Sequence, residues 1–86
     1  MTSKVKILYF ASLREAVGRS GEELELPAGV ATVGALRSHL AGRGEGWQAL
    51  AAGRNVRAAL NQKMAAPDTA LDGGDEVAFF PPVTGG

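Results

Sequence analysis

The chain has 86 residues, enough for one domain with one modest core. Nine Lys and Arg balance nine Asp and Glu, which argues against the clustered base of a nucleic-acid or anionic-membrane footprint, and no apolar run approaches the ~20 residues of a membrane span. Cysteine is absent and His39 is the single histidine, so a thiol nucleophile, a disulfide framework and a Cys/His metal cluster are excluded, and chemistry must come from the backbone or from a partner.

Lys4 to Phe10 is β-branched and aromatic and predicts a strand, with Val5, Ile7 and Tyr9 on one face and Lys4, Lys6, Leu8 and Phe10 on the other. This opening alternates and carries no signal-type cleavage region, so a cytoplasmic protein is expected. Ser12 and Glu15 read as a capping box, predicting one or two helical turns that Gly18 ends in the left-handed region. In Glu22 to Leu26, Leu24 and Leu26 are expected to face the core and the glutamates to face water. Pro27 and Gly29 break the chain.

Thr32 is the expected N-cap of the main helix, whose stripe is Val33, Leu36 and Leu40. Arg37 and Arg43 lie late in the segment, where cations suit the helix dipole, and Gly42 and Gly44 stop it. Trp47, Leu50 and Ala51 predict a short helical turn ended by Gly53, with Trp47 closing one end of the core. Val56, Ala58 and Leu60 alternate as the inward face of a further strand. Asn61 and Gln62 turn the chain, and Lys63 to Ala66 returns as a short edge strand. The next segment reads as loop, with Asp72 to Asp75 a turn whose aspartates serve the turn and not a metal. Glu76 to Phe80 is the last strand, with Val77 and Phe79 inward and Ala78 and Phe80 outward. Arg54 and Arg57 read as solvated charges, with a phosphate or an acidic partner as the alternative.

One main helix covers one face of one sheet, so the pattern predicts an α+β, ubiquitin-like β-grasp with a mixed sheet of four to five strands. The first and last strands are the most apolar and are expected side by side in the centre. Residues 1–80 form the domain and residues 81–86 a flexible Gly-Gly tail. Pro81 and Pro82 favour a stiff polyproline start, and the six residues reach about 20 Å when extended. Gly85 and Gly86 lack Cβ atoms, so they fit a slot as wide as a backbone and leave the terminal carbonyl open to attack. That carboxylate, activated as an adenylate and displaced by a persulfide or sulfide, would become a thiocarboxylate.

The ending "GDEVAFFPPVTGG", the opening "VKILYFASLREAVG" and "ALNQ" resemble the small subunit of molybdopterin synthase, the MoaD family. The resemblance implies a β-grasp whose Gly86 is adenylated by an E1-like enzyme, with ATP used by that partner and no cofactor bound here. It implies a sulfur donor such as a persulfide-bearing protein. Two such subunits would supply the dithiolene sulfurs to cyclic pyranopterin monophosphate from a heterotetramer with the large subunit. Gly85 would be the slot residue. Phe10, Met64 and Phe80 fall at positions resembling the family's apolar contact patch for the activating enzyme, and Pro81, Pro82, Val83 and Thr84 would enter the partner. The alternatives are another Gly-Gly sulfur carrier, as in the thiazole pathway, a ubiquitin-like protein modifier, and a non-catalytic adaptor. No nucleic acid or membrane partner is expected.

Overall fold

The computed structural model describes residues 4–51 and 55–82. In chain order these form β1 (Lys4–Tyr9), α1 (Ala11–Val17), β2 (Gly21–Glu25), α2 (Val33–Ala41), a 3-10 turn (Trp47–Leu50), β3 (Arg57–Leu60), β4 (Lys63–Ala65) and β5 (Glu76–Phe80). The five strands make one sheet in the order β2-β1-β5-β3-β4. Only β1 and β5 run parallel, and they sit in the centre as their apolar composition requires.

Register carries the inward parity from strand to strand. Ile7 stands beside Val77 and Tyr9 beside Phe79 in β5, and Ala58 of β3 meets Phe79 from the other side. All five side chains join the core, together with Val5 and the complete helix stripe Val33, Leu36 and Leu40. Leu50 of the 3-10 turn is fully buried too. Thr32 caps α2 as expected, its Oγ1 accepting from the Ala35 amide at 3.1 Å. Gly18 ends α1 at φ 78°, its amide donating to the Arg14 carbonyl. Asn61 and Gln62 take φ 51° and 71°, the paired positive values of a two-residue hairpin turn.

Four expectations need correction. Ser12 is not a cap: α1 begins at Ala11, and Phe10 holds the cap position without a side-chain bond. The Phe10 amide donates to the Phe79 carbonyl at 3.1 Å, so the parallel ladder runs one residue past β1 and starts the helix early. Glu22 does not face water. It shares strand parity with Leu24, lies across from Ile7, and its side chain is 13% exposed. Arg37 and Arg43 do not serve their own helix terminus. Arg37 donates from Nε to the Leu50 carbonyl at 2.6 Å and from Nη2 to the Ala51 carbonyl at 2.9 Å, which ties α2 to the end of the 3-10 turn. Arg43 crosses to Glu22 at 2.7 Å. The segment before β5 is also more than loop. Its single large apolar residue, Leu71, is buried, and its amide donates to the Ala31 carbonyl at 2.9 Å beside a Thr32–Ala70 bridge. Gly53, expected to end the short turn, lies outside the described residues.

Glu22 anchors one end of the core. Tyr9 Oη donates to its Oε2 at 2.8 Å, and Arg19 lies 3.5 Å from its Oε1. Trp47 packs edge-on to Tyr9 at 5.5 Å between centroids, and the Arg43 guanidinium sits 4.6 Å above the indole. Trp47 thus closes the core as expected, and a carboxylate with two arginines closes it over Trp47. Gly46, at φ 87°, lets this loop press on α1, because a Cβ there would collide with the Ala16 carbonyl.

Burial raises the proton affinity of the Glu22 carboxyl. The bonds from Arg43 and Tyr9 and the charges of Arg43 and Arg19 outweigh that and hold it below its ordinary range. The same burial and the neighbouring Glu22 push the Tyr9 hydroxyl well above its ordinary value, so it stays a donor.

Phe79→Ala should cost about 3–5 kcal/mol in denaturant melts, because it empties the centre of the sheet. Glu22→Gln should cost about 1–3 kcal/mol near neutral pH. Because the folded carboxyl is the more acidic one, its contribution is full above the unfolded value and fades as pH falls through the folded value. The two melting curves, measured down a pH series, should therefore converge in acid.

Candidate docking face and tail root

The helices and the 3-10 turn bury their apolar residues on the inner face of the sheet, with the core side chains of β1, β3 and β5. The outer face is read by following the register across the strands. Its first row is charged: Glu23, Lys6 and Glu76, with Lys4 across from Glu25 beside it. The second is small and apolar: Gly21, Leu8, Ala78, Ala59 and Met64, one position from each strand in sheet order. The third holds Phe80 across from Arg57, and the ladder bond from Phe10 to Phe79 sets Phe10 beside Phe80.

Phe10 is 48% exposed and Met64 65%, and they are the exposed large hydrophobic residues among those described. Phe80 is half-buried, as are Pro81 and Pro82 after it. The structure therefore brings Phe10 and Phe80 together at the end of β5 where the tail leaves. Met64 stands two strands away, at the far end of the apolar row. Val83, Thr84, Gly85 and Gly86 lie outside the described residues.

The hairpin turn is joined to the start of β5 by side chains. Asn61 Nδ2 donates to Asp75 Oδ1 at 3.0 Å, and Asn61 Oδ1 accepts from the Glu76 amide at 3.0 Å. Asp75 Oδ2 accepts from the Asp72 amide at 2.9 Å, and that bond, with the one from Asn61, lowers the Asp75 carboxyl from its ordinary value. These aspartates serve the turn, as expected. Among the described residues no group of three or more His, Asp or Glu could hold a metal ion. An open pocket of about 290 Å³ between α2 and β3–β4 is lined by residues such as Val33, Ala58, Pro67 and Phe79, without a carboxylate or histidine. Two arginines line it: Arg37 is already bonded to Leu50 and Ala51, and Arg57 reaches it from β3. No helix among the described residues is long and apolar enough to cross a membrane.

The ThiS family pattern matches residues 7–86. The molybdopterin synthase sulfur carrier subunit of Escherichia coli (strain K12) is 45% identical over 82 residues, spanning 95% of this chain and 99% of that one. Among solved structures, a putative molybdopterin converting factor subunit 1 from Pyrococcus furiosus superposes with TM-score 0.78 at 32% identity, covering 95% of this chain and all of its own. The H. volcanii small archaeal modifier protein 1 superposes with TM-score 0.74 at 30% identity, covering 94% of this chain and 99% of its own.

Phe80 shares β5 with Phe79 but stands on the solvent side. Phe80→Ala should therefore cost about 1 kcal/mol or less of stability, against the several expected for its neighbour. Parallel denaturant melts of the two variants check the assignment of faces, and equal losses would refute it.

Proposed function

The chain belongs to the ThiS family, and from that membership we propose that it is the sulfur carrier subunit of molybdopterin synthase. The observation that carries this reading is the 45% identity, across nearly both full lengths, to a protein of that name. The reactive group would be the Gly86 carboxylate. An oxygen of it attacks the α-phosphorus of ATP on an E1-like partner, and pyrophosphate leaves. The terminal sulfur of a persulfide-bearing donor then displaces AMP to give an acyl disulfide, and a second thiol attacks the donor's sulfur, so that the thiocarboxylate leaves and the donor is left as a disulfide. Two such tails would deliver the two sulfurs of the dithiolene to cyclic pyranopterin monophosphate inside the large subunit.

The fold fits this role through what it keeps away from the chemistry. None of these steps needs a side chain of this protein, which agrees with a sequence lacking cysteine. Pro81 and Pro82 restrict the backbone at the tail root, so less chain entropy is lost when a partner takes the tail. Gly85 would pass through a slot too narrow for a side chain, with Val83 and Thr84 lining the entry. The outer face with Phe10, Phe80 and Met64 would be the apolar pad on which the activating enzyme and the large subunit dock. All of this would take place in the cytoplasm.

A second reading, a protein modifier joined to lysines, draws on the likeness to the H. volcanii modifier. Both readings begin with adenylation and part at the nucleophile, sulfur or amine. Intact mass after incubation with the activating enzyme, ATP and a sulfur donor tests the first: one oxygen should be exchanged for sulfur. Higher-mass conjugates in cells would favour the second.

Deleting Gly86 or adding residues after it should leave the melting curve unchanged and abolish molybdopterin formation. A tagged chain with full sulfur transfer would overturn the mechanism. Phe80→Ala should weaken large-subunit binding by about 2 kcal/mol, the loss typical of an interface hot spot.

A further inference from the structure

Each lysine of the outer face stands across the strands from a carboxylate, though among the described residues none of them forms an ion pair, and one cation of that face has no such partner in register. Lys4 stands across from Glu25, and Lys6 has Glu23 on one side and Glu76 on the other. Arg57 stands across from Phe80, and on its β4 side the register leads past Ala65 to Ala66. Its diagonal neighbours within the paired strands are Ala78 and Met64; extending the same register adds Pro82 and the exposed Asp68, with which it forms no ion pair. Glu76, the acidic residue of β5, lies four positions along the strand from Phe80, roughly 13 Å away at the strand rise. Among the described residues the Arg57 side chain makes no hydrogen bond or ion pair, and the residue is exposed.

We propose that Arg57 is a specificity contact for the large synthase subunit, which presents a carboxylate to it within the apolar surface that covers Phe80. The inference rests on the sulfur-carrier reading and adds the chemistry of the partner. Adjacent strands lie roughly 5 Å apart, so a surface that seals Phe80 from water also covers the base of Arg57. A guanidinium stripped of water beside Phe80, Ala78 and Pro82 is costly unless an anion meets it. Its planar fork is matched by a carboxylate, which can take two parallel N–H bonds. The contact also orients the docked domain. Phe10 and Phe80 are alike in chemistry, whereas Arg57 lies on one side of them and marks the β3 side of the tail root.

The test is a binding titration of the full chain against the cognate large subunit at low and high salt. Wild-type affinity should fall as salt rises. Arg57→Ala should bind about tenfold more weakly at low salt and lose most of that salt dependence, and Arg57→Glu should bind about a hundredfold more weakly. Arg57→Lys, which keeps the charge but not the fork, should fall between wild type and Arg57→Ala. Melting temperatures should be unchanged, since the side chain has no partner in the isolated domain. Arg57→Glu binding within about twofold of wild type at low salt overturns the contact, as that reversal should be repulsive against a carboxylate. If the wild-type chain binds the large subunit and gains sulfur while Arg57→Glu matches it, the contact alone is wrong. If the wild type neither binds nor gains sulfur, the sulfur-carrier reading is wrong and the contact falls with it.

Discussion

The parallel pairing of β1 with β5 joins the two ends of the sequence at the middle of the sheet. Ile7 beside Val77 and Tyr9 beside Phe79 fill the space under α2, and the Tyr9 and Phe79 rings stack at 6.5 Å. Each strand then has one remaining edge, and β2 and β3 complete those ladders. Because side chains alternate, sending Phe79 inward also sends Phe80 outward. The apolar surface at the tail root is thus a geometric consequence of the core. The parallel ladder reaches as far as Phe10, which aligns that exposed ring with Phe80 and sets where α1 can begin.

A second constraint acts at the end of the core under the long connection after α2. Few strongly apolar residues lie in that connection besides Trp47 and Leu50. Polar side chains hold it instead. Arg37 grips the carbonyls of Leu50 and Ala51, and Arg43 reaches Glu22 while lying over Trp47. Glu22 collects Tyr9, Arg19 and Arg43 around one half-buried carboxylate. The arrangement costs desolvation and is tolerated because donors surround the charge. It holds the 3-10 turn against the sheet on the inner face, well away from the docking rows.

The division of labour between the two faces fits the proposed role, in which the reactive group would be a backbone carboxylate. The inner face and its polar clasp supply stability. The outer face grades from opposite charges facing each other across the strands, through apolar residues, to aromatics and an arginine at the tail root. A partner that reads this gradient would place the tail by rigid docking on a sheet, which is more accurate than docking on a loop.

The alternation of Val5-Ile7-Tyr9 and Val77-Phe79, the stripe Val33-Leu36-Leu40, the Thr32 cap and the Asn61-Gln62 turn were all legible in the sequence. They depend on local periodicity and backbone preference, and so were the fold class and the central place of β1 and β5. The outward parity of Phe10 and Phe80 followed from the same period. What the sequence could not carry were contacts between residues far apart in it. Glu22 looked solvated because its neighbours Glu23 and Glu25 are. Only the fold brings Tyr9 and Arg43 to it and makes burial tolerable. Ser12 and Glu15 had the spacing of a capping box, but a ladder bond to Phe79, distant in sequence, claimed the cap position first. Arg37 and Arg43 had the position for a dipole interaction, and carbonyls and a carboxylate across the fold offered stronger partners. Arg57 read as a solvated charge, with a phosphate or an acidic partner as the alternative. Its isolation among Phe80, Ala78 and Met64 exists only once β3 is laid between β5 and β4, because strand order is settled by which apolar faces bury each other and not by any single segment.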